Sequence, residues 1–312
     1  MKRIAVIDLG TNTFHLLITE ITENLIPGNI CKETIAVKLG EGGINQGFIR
    51  LDAFLRGISA MEKFSGLITS HRATKVKAMA TAAIRNALNG ADFISEVKSK
   101  TGIEIEMIDG ETEAELIFAG VRNAVNLGQE TSLIMDIGGG SEEFILCNHS
   151  EIFWKRSYPI GAAKMMDRFH HSDPISNEDV QEFTAHLNET LPELIFQCTK
   201  NQPNRLIGSA GAFETFAELV RNMFIVVEPY QEIPAKEILL ADFDKIAETL
   251  LLSTHQERSV MPGLITLRVD MIVVATIITQ YIIRKLNIKK LMLSEYSLKE
   301  GVLFDLLSRR DI

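Results

Sequence analysis

The sequence predicts an α/β protein built from two similar domains. Three observations lead there. Short apolar strand-like runs alternate with segments of helical periodicity along the whole chain. A strand–turn–strand pattern with Asp-x-Gly at its first turn occurs twice, around Asp8 and again around Asp136, near the start of each half. With 312 residues, 46% of them hydrophobic, the chain has enough apolar mass for two cores.

Lys2 to Asp8 reads as a short buried strand and Phe14 to Ile21 as a second, joined by the polar turn Leu9-Gly10-Thr11-Asn12-Thr13. Leu51 to Ser65, Ala91 to Thr101 and Glu111 to Asn126 have helical spacing, whereas Lys75 to Ala80 and Ile103 to Ile108 read as strands. The hairpin pattern then returns: strand Ser132 to Asp136, turn Ile137-Gly138-Gly139-Gly140-Ser141, strand Glu143 to Cys147. Asn177 to Thr199 reads as one helix, and Arg205 to Ile207 as a strand that leads through Gly208-Ser209-Ala210-Gly211 into another helix. Met271 to Ile283 is the most apolar stretch. It falls short of the ~20 residues of a membrane span and contains Thr276, Thr279 and Gln280, so a buried helix is expected. Lys290 to Leu293 reads as a strand and Leu298 to Leu307 as a helix. No Pro/Gly/Ser-rich linker interrupts the chain, so the domains are expected to pack closely.

The net charge of -9 argues against a general nucleic-acid binder, which needs a cationic face. A polyanion would have to be held by local arginines, backbone amides and a divalent cation. Three cysteines without C-x-x-C spacing suggest neither a disulfide framework nor a zinc site, and a reducing cytoplasm is the expected location. Asp8 and Gly10 interrupt the N-terminal apolar run too early for a signal-peptide core.

The two glycine- and hydroxyl-rich turns point to chemistry. Such a turn after a buried strand gathers backbone N–H groups into one concavity and lets a phosphate approach. Two facing turns would grip a phosphate chain from both sides, and Asp8 and Asp136, at the strand ends, would stand where a carboxylate holds Mg²⁺ directly or through its waters. A polar hairpin turn is the plainer reading of either copy alone.

Five segments carry a resemblance: Asp8 to Thr13, Ala80 to Ala87, Gly110 to Ala114, Asp136 to Glu143 and Ser297 to Gly301. In order and combination they resemble the exopolyphosphatase and guanosine pentaphosphate phosphohydrolase family in its short form. The resemblance implies two ribonuclease H-like domains of the actin-like ATPase type with an interdomain cleft. Residues 1–124 would form domain I and 125–297 domain II, and the final helix, 298–312, would return to domain I. It further implies terminal phosphate release from polyphosphate or a guanosine penta/tetraphosphate, with Mg²⁺ as cofactor and, by analogy only, a homodimer. Neither a nucleic acid nor a membrane is an expected partner.

By the same resemblance Glu113 is the carboxylate that activates water and Arg85 holds phosphate. Gly10, Thr11, Asn12, Thr13, Gly138, Gly139, Gly140, Ser141, Gly208 and Gly211 are expected to contact phosphate or the rest of the substrate. Asp8, Asp136 and Glu143 surround the metal. From the residues alone, Glu113 also reads as a first-turn acid stabilising a helix N-terminus, and Arg85 as a surface ion-pair partner.

The chain departs from the family pattern at Ala212, where Thr is usual, at Ser297, where Gly is usual, and at Lys299, where Arg is usual. These departures bear on substrate contacts and keep open a sensor that binds an alarmone with little turnover, while the loops shared across the superfamily also permit a phosphotransferase. Arg268 and Asp270 resemble a further family segment and equally suit a buried ion pair. Lys38, Arg50, Lys155, Arg156, Lys164 and Arg168 read as a solvated mixed-charge face rather than a polyphosphate track. His170-His171 lacks a partner at metal-ligand spacing and reads as a loop feature.

Overall fold

The computed structural model describes residues 2–23, 25–224 and 233–311. The chain separates into two compact units, Met1–Gly120 with Gly138–Gly140 and Ser297–Ile312, and Val121–Ile137 with Ser141–Tyr296.

The first part of the chain runs β1 (Lys2–Leu9), β2 (Thr13–Ile21), β3 (Pro27–Ala36), α1 (Leu51–Ser70), β4 (Lys75–Ala80), α2 (Ala82–Arg85), α3 (Gly90–Thr101), β5 (Ile105–Met107) and α4 (Gly110–Ala124). Its sheet has the order β3-β2-β1-β4-β5, with β1–β2–β3 antiparallel and β1–β4–β5 parallel. Alternation along β1 sends Ala5, Ile7 and Leu9 into a core shared with Phe64 of α1 and Phe93 and Val97 of α3. Asp8 therefore belongs to the opposite face.

The middle of the chain runs β6 (Ser132–Ile137), β7 (Glu142–Cys147), β8 (Ile152–Tyr158), α5 (Ala162–Phe169), α6 (Asn177–Thr190), α7 (Pro192–Asn201), β9 (Arg205–Ser209), α8 (Gly211–Met223), β10 (Ala235–Ile238), α9 (Leu240–Leu252), α10 (His255–Ser259), α11 (Ile272–Leu286) and β11 (Lys290–Ser294). Its sheet has the order β10-β11-β9-β6-β7-β8. Here β6–β7–β8 is the antiparallel meander and β6–β9–β11 the parallel part. Apart from β10, an added antiparallel edge, the first sheet's topology is repeated. The ribonuclease H-like arrangement thus occurs twice, as the repeated Asp-x-Gly hairpin predicts. Leu133, Met135 and Ile137 face the large core with α5, α6, α7, α8, α9 and α11, so Asp136, like Asp8, lies on the other face.

The last helix, α12 (Leu298–Ser308), packs on β1 and β2 in the first unit. There Gly301 meets α4 so closely that an added Cβ would lie 1.7 Å from the Leu116 carbonyl, and one on Gly120 would lie 2.3 Å from the Ser297 carbonyl.

Several local expectations need correction. The single helix over Asn177 to Thr199 is two, because Pro192 has no N–H and starts a new helix at its first turn. A proline inside one continuous helix would cost about 3 kcal/mol, which favours the break. The edge strands β3 and β8 escape the sequence reading: β3 has one face of mostly exposed residues and begins Pro27-Gly28, a composition that edges tolerate. Helices α5, α9 and α10 and strand β10 were also unanticipated. Helix α11 is buried as expected, and its polar residues are accommodated locally. The Thr276 and Thr279 hydroxyls donate to the Ile272 and Ala275 carbonyls, each at 2.7 Å. No described helix is long and apolar enough to cross a membrane.

Candidate active site

In the first unit, the turn between β1 and β2 is closed by the Gly10 N–H donating to the Thr13 carbonyl at 3.1 Å. The loop after β3 braces it from outside: Val37 and Lys38 N–H donate to the Asn12 carbonyl, and Gly40 N–H to the Thr11 carbonyl. The tip of the second Asp-x-Gly turn packs against the first. An added Cβ on Gly139 would fall 2.3 Å from Asn12 Nδ2, and one on Gly140 would fall 2.8 Å from Thr11 Oγ1 and 2.9 Å from the Ala82 Cβ. Glycine suits both positions because the Thr11, Asn12 and Ala82 side chains occupy the space a Cβ would need. Thr11 and Ser141 are buried. The Thr13 hydroxyl is engaged by His15 Nε2 at 2.8 Å, which ties it to β2.

Glu113 and Arg85 come from separate elements of this unit and meet. Strand β4 ends in the short helix α2, whose last residue is Arg85. Glu113 lies in the first turn of α4 and is 7% exposed. Asp109 caps that helix, its Oδ1 accepting the Thr112 N–H at 2.7 Å. The Thr112 amide holds the Asp109 carboxyl below the usual carboxylate range, and Arg85 adds to the effect. Arg85 Nη1 donates to the Ile108 carbonyl at 2.8 Å and to Glu113 Oε2 at 3.1 Å.

In the second unit Asp136 and Glu143 face each other directly across β6 and β7, both buried. Ser209 Oγ donates to Asp136 Oδ2, and Ser157 Oγ donates to Glu143 Oε1 at 2.7 Å. Beside them is a third carboxyl that sequence reasoning missed. Glu142 is fully buried, and among the described residues neither of its oxygens has a hydrogen-bond partner. Burial first, then the Glu143 and Asp136 charges, push its carboxyl well above the ordinary range, which favours the protonated form. The Glu-Glu pair was visible in the sequence, but only the strand register puts Glu142 on the core face.

The buried carboxylates of Asp136 and Glu143, at directly opposed positions of β6 and β7, offer hard oxygens of the type that suits a divalent cation. Among the described residues no three His, Cys, Asp or Glu side chains are arranged to hold a metal alone. Mg²⁺ fits such a partial donor set, since it keeps waters and relies on one or two carboxylates plus substrate phosphates.

Gly208 and Gly211 have packing reasons of their own. A Cβ on Gly208 would fall 2.0 Å from the Phe213 ring, and one on Gly211 would fall 1.5 Å from Arg268 Nη2. Between them Ala210 adopts a left-handed φ of 66°, a strained conformation for a residue with a side chain. Burial lowers the pKa of Arg268, against the fields of Glu214 and Asp136. Asp270 accepts from His255 Nε2 at 3.0 Å. His170 and His171 line a hollow of about 410 Å³ that also includes His255, Asp173 and Arg258. Lys299 reaches its own helix start, at 3.3 Å from Ser297 Oγ and 3.2 Å from Glu300. Arg156 pairs with Glu193, and Arg168 lies 4.8 Å from the Phe169 ring.

Comparison with known proteins supplies the family and supports the fold. The sequence model of the Ppx/GppA phosphatase family matches residues 17–310. A solved exopolyphosphatase from Cytophaga hutchinsonii is 40% identical, covers 99% of this chain and 98% of its own, and superposes with a TM-score of 0.96. The Ppx/GppA family member of Aquifex aeolicus is 25% identical, with a TM-score of 0.81 over 100% of this chain and 99% of its own. Exopolyphosphatase 2 of Mycobacterium tuberculosis is 27% identical over 98% of this chain and 99% of that protein. The duplicated sheet, the paired Asp-x-Gly turns and a match over nearly the whole sequence lead to one conclusion: the chain belongs to the Ppx/GppA phosphatase family.

Proposed function

We propose that this protein releases terminal orthophosphate from inorganic polyphosphate, using water activated by Glu113, with guanosine pentaphosphate as a second substrate. The observation that carries the reading is the 3.1 Å contact between Arg85 and the nearly buried Glu113 carboxylate, in the unit that also holds the two stacked phosphate-type turns. The relatives named exopolyphosphatase point to the polyphosphate chain as the first substrate to test.

Phosphoryl transfer asks for positioning and charge neutralisation more than for covalent help. The turn Gly10 to Thr13, through amides other than the Gly10 N–H that closes it, and the turn Gly138 to Ser141, together with Arg85, hold the terminal phosphates. Glu113 accepts a proton from water as its oxygen bonds to the end phosphorus. The bond from that phosphorus to the bridging oxygen breaks, and the shortened chain leaves with the electron pair. Asp136 and Glu143, with Asp8 as the counterpart in the first repeat, are the carboxylates proposed to take Mg²⁺. When bound, the ion neutralises phosphate charge and stabilises the leaving oxygen.

The test is phosphate release from polyphosphate, guanosine pentaphosphate and ATP, with Mg²⁺ and with chelator, for the wild type and Glu113→Gln. Turnover is expected to need both Mg²⁺ and Glu113. Glu113→Gln should lose at least about 1000-fold in kcat while binding polyphosphate within about threefold of wild type. Tight binding of guanosine tetraphosphate with no release from any substrate would replace the hydrolase reading with a sensor, and acceptor-dependent ADP formation would replace it with a phosphotransferase.

A further inference from the structure

Arg85 divides its guanidinium between two tasks. Nη1 serves both the Ile108 carbonyl and Glu113 Oε2. Among the described residues no bond is made by its Nε or Nη2. The two acceptors flank one structural point, because Ile108 directly precedes the Asp109 cap and Glu113 lies in the first turn of the helix that follows. Arg85 therefore ties the Glu113 side chain back to the entry of its own helix. The side chains are 19% and 9% exposed, so the pair is largely shielded and its geometry is restricted by packing.

We propose that Arg85 is the positioning residue of Glu113 as well as a phosphate ligand. One nitrogen fixes the carboxylate, while the Nε/Nη2 edge takes two oxygens of the terminal phosphate. A guanidinium is rigid and planar and presents donors on two edges, so a single group sets the distance and angle between base and phosphorus. A lysine at this place keeps the charge but offers one rotating point donor, which cannot serve both at once. The inference rests on the hydrolase reading above and adds a specific role within it.

The decisive experiment is steady-state hydrolysis of polyphosphate by wild type, Arg85→Lys, Glu113→Gln and the double variant, with melting temperatures measured alongside. Arg85→Lys is expected to bind polyphosphate with KM within about threefold of wild type but to lose about 100-fold in kcat, the scale of a misplaced base. In the Glu113→Gln background the same change should cost at least about tenfold less in kcat than in the wild type, because the positioning part of the arginine's effect runs through the carboxylate. A raised KM with kcat intact would show that Arg85 only binds phosphate and would overturn the inference. Equal losses in both backgrounds would do the same. When the Glu113→Gln background turns over too slowly to measure, the kcat and KM split of Arg85→Lys decides alone. If Arg85→Lys does not fold, Arg85→Gln is read by the same criterion, whether kcat falls beyond any change in KM. Failure of the wild type to release phosphate from any substrate would instead sink the hydrolase reading itself.

Discussion

At the scale of single residues, the two hairpins can be compared position by position, because Leu9 pairs with Phe14 as Ile137 pairs with Glu142. Phe14 is fully buried among apolar side chains, whereas Glu142, also fully buried, holds in the equivalent place a carboxyl with no hydrogen-bond partner among the described residues. Replacing such a group with an apolar one of similar length removes a desolvation cost. Glu142→Met should therefore stabilise the protein by about 2 kcal/mol, measured as a raised denaturant midpoint. A lowered midpoint would mean that ordered water or a cation satisfies the carboxyl in solution. Asp109 offers a pH test. Its folded pKa lies below the ordinary 3.8, so the stabilisation is complete above 3.8 and is lost as the pH falls through the depressed value. Asp109→Ala should cost about 1 kcal/mol at neutral pH, and the gap to wild type should close in acid. A gap that persists at low pH would assign the cost to something other than the charged cap.

At the scale of elements, the crossing of α4 and α12 is the most sensitive contact, because Gly120 and Gly301 bring backbone against backbone. Gly301→Ala should separate the two helices and cost about 3 kcal/mol, and chemical denaturation would show it. A cost below about 1 kcal/mol would mean that the helices slide apart freely. Strands and helices with strong periodicity were legible in the sequence: β1, β4, α3 and the paired turns fall close to where their patterns put them. The edge strands were not, since a half-exposed strand with charges and a Pro-Gly start has no apolar run to mark it. The family resemblance singled out Arg85 and Glu113 separately, but their contact was not legible, because pairing across 28 positions leaves no local trace. The packing roles of Gly208 and Gly211 could not be read at all, since they depend on Phe213 and Arg268 filling the space of a missing Cβ.

At the scale of the whole molecule, the chain enters the second unit after Gly120, leaves it for Gly138–Gly140, returns, and leaves again at Ser297. Residues 1–124 alone would lack α12, and with it the buried Leu298, Val302, Leu303 and Leu306 that pack where β1 and β2 need cover. That fragment should bind a hydrophobic dye and melt without cooperativity, and adding residues 297–312 through a short linker should restore a cooperative transition. Cooperative melting of 1–124 by itself would contradict the role given to α12. The same threading sets an order on biosynthesis. The central strand of the first sheet, β1, leaves the ribosome before the second unit, yet the helix that covers it is translated only after that whole unit. The first unit is thus completed only after the second has been made, and the face of β1 and β2 that α12 covers stays open while the second unit is synthesised.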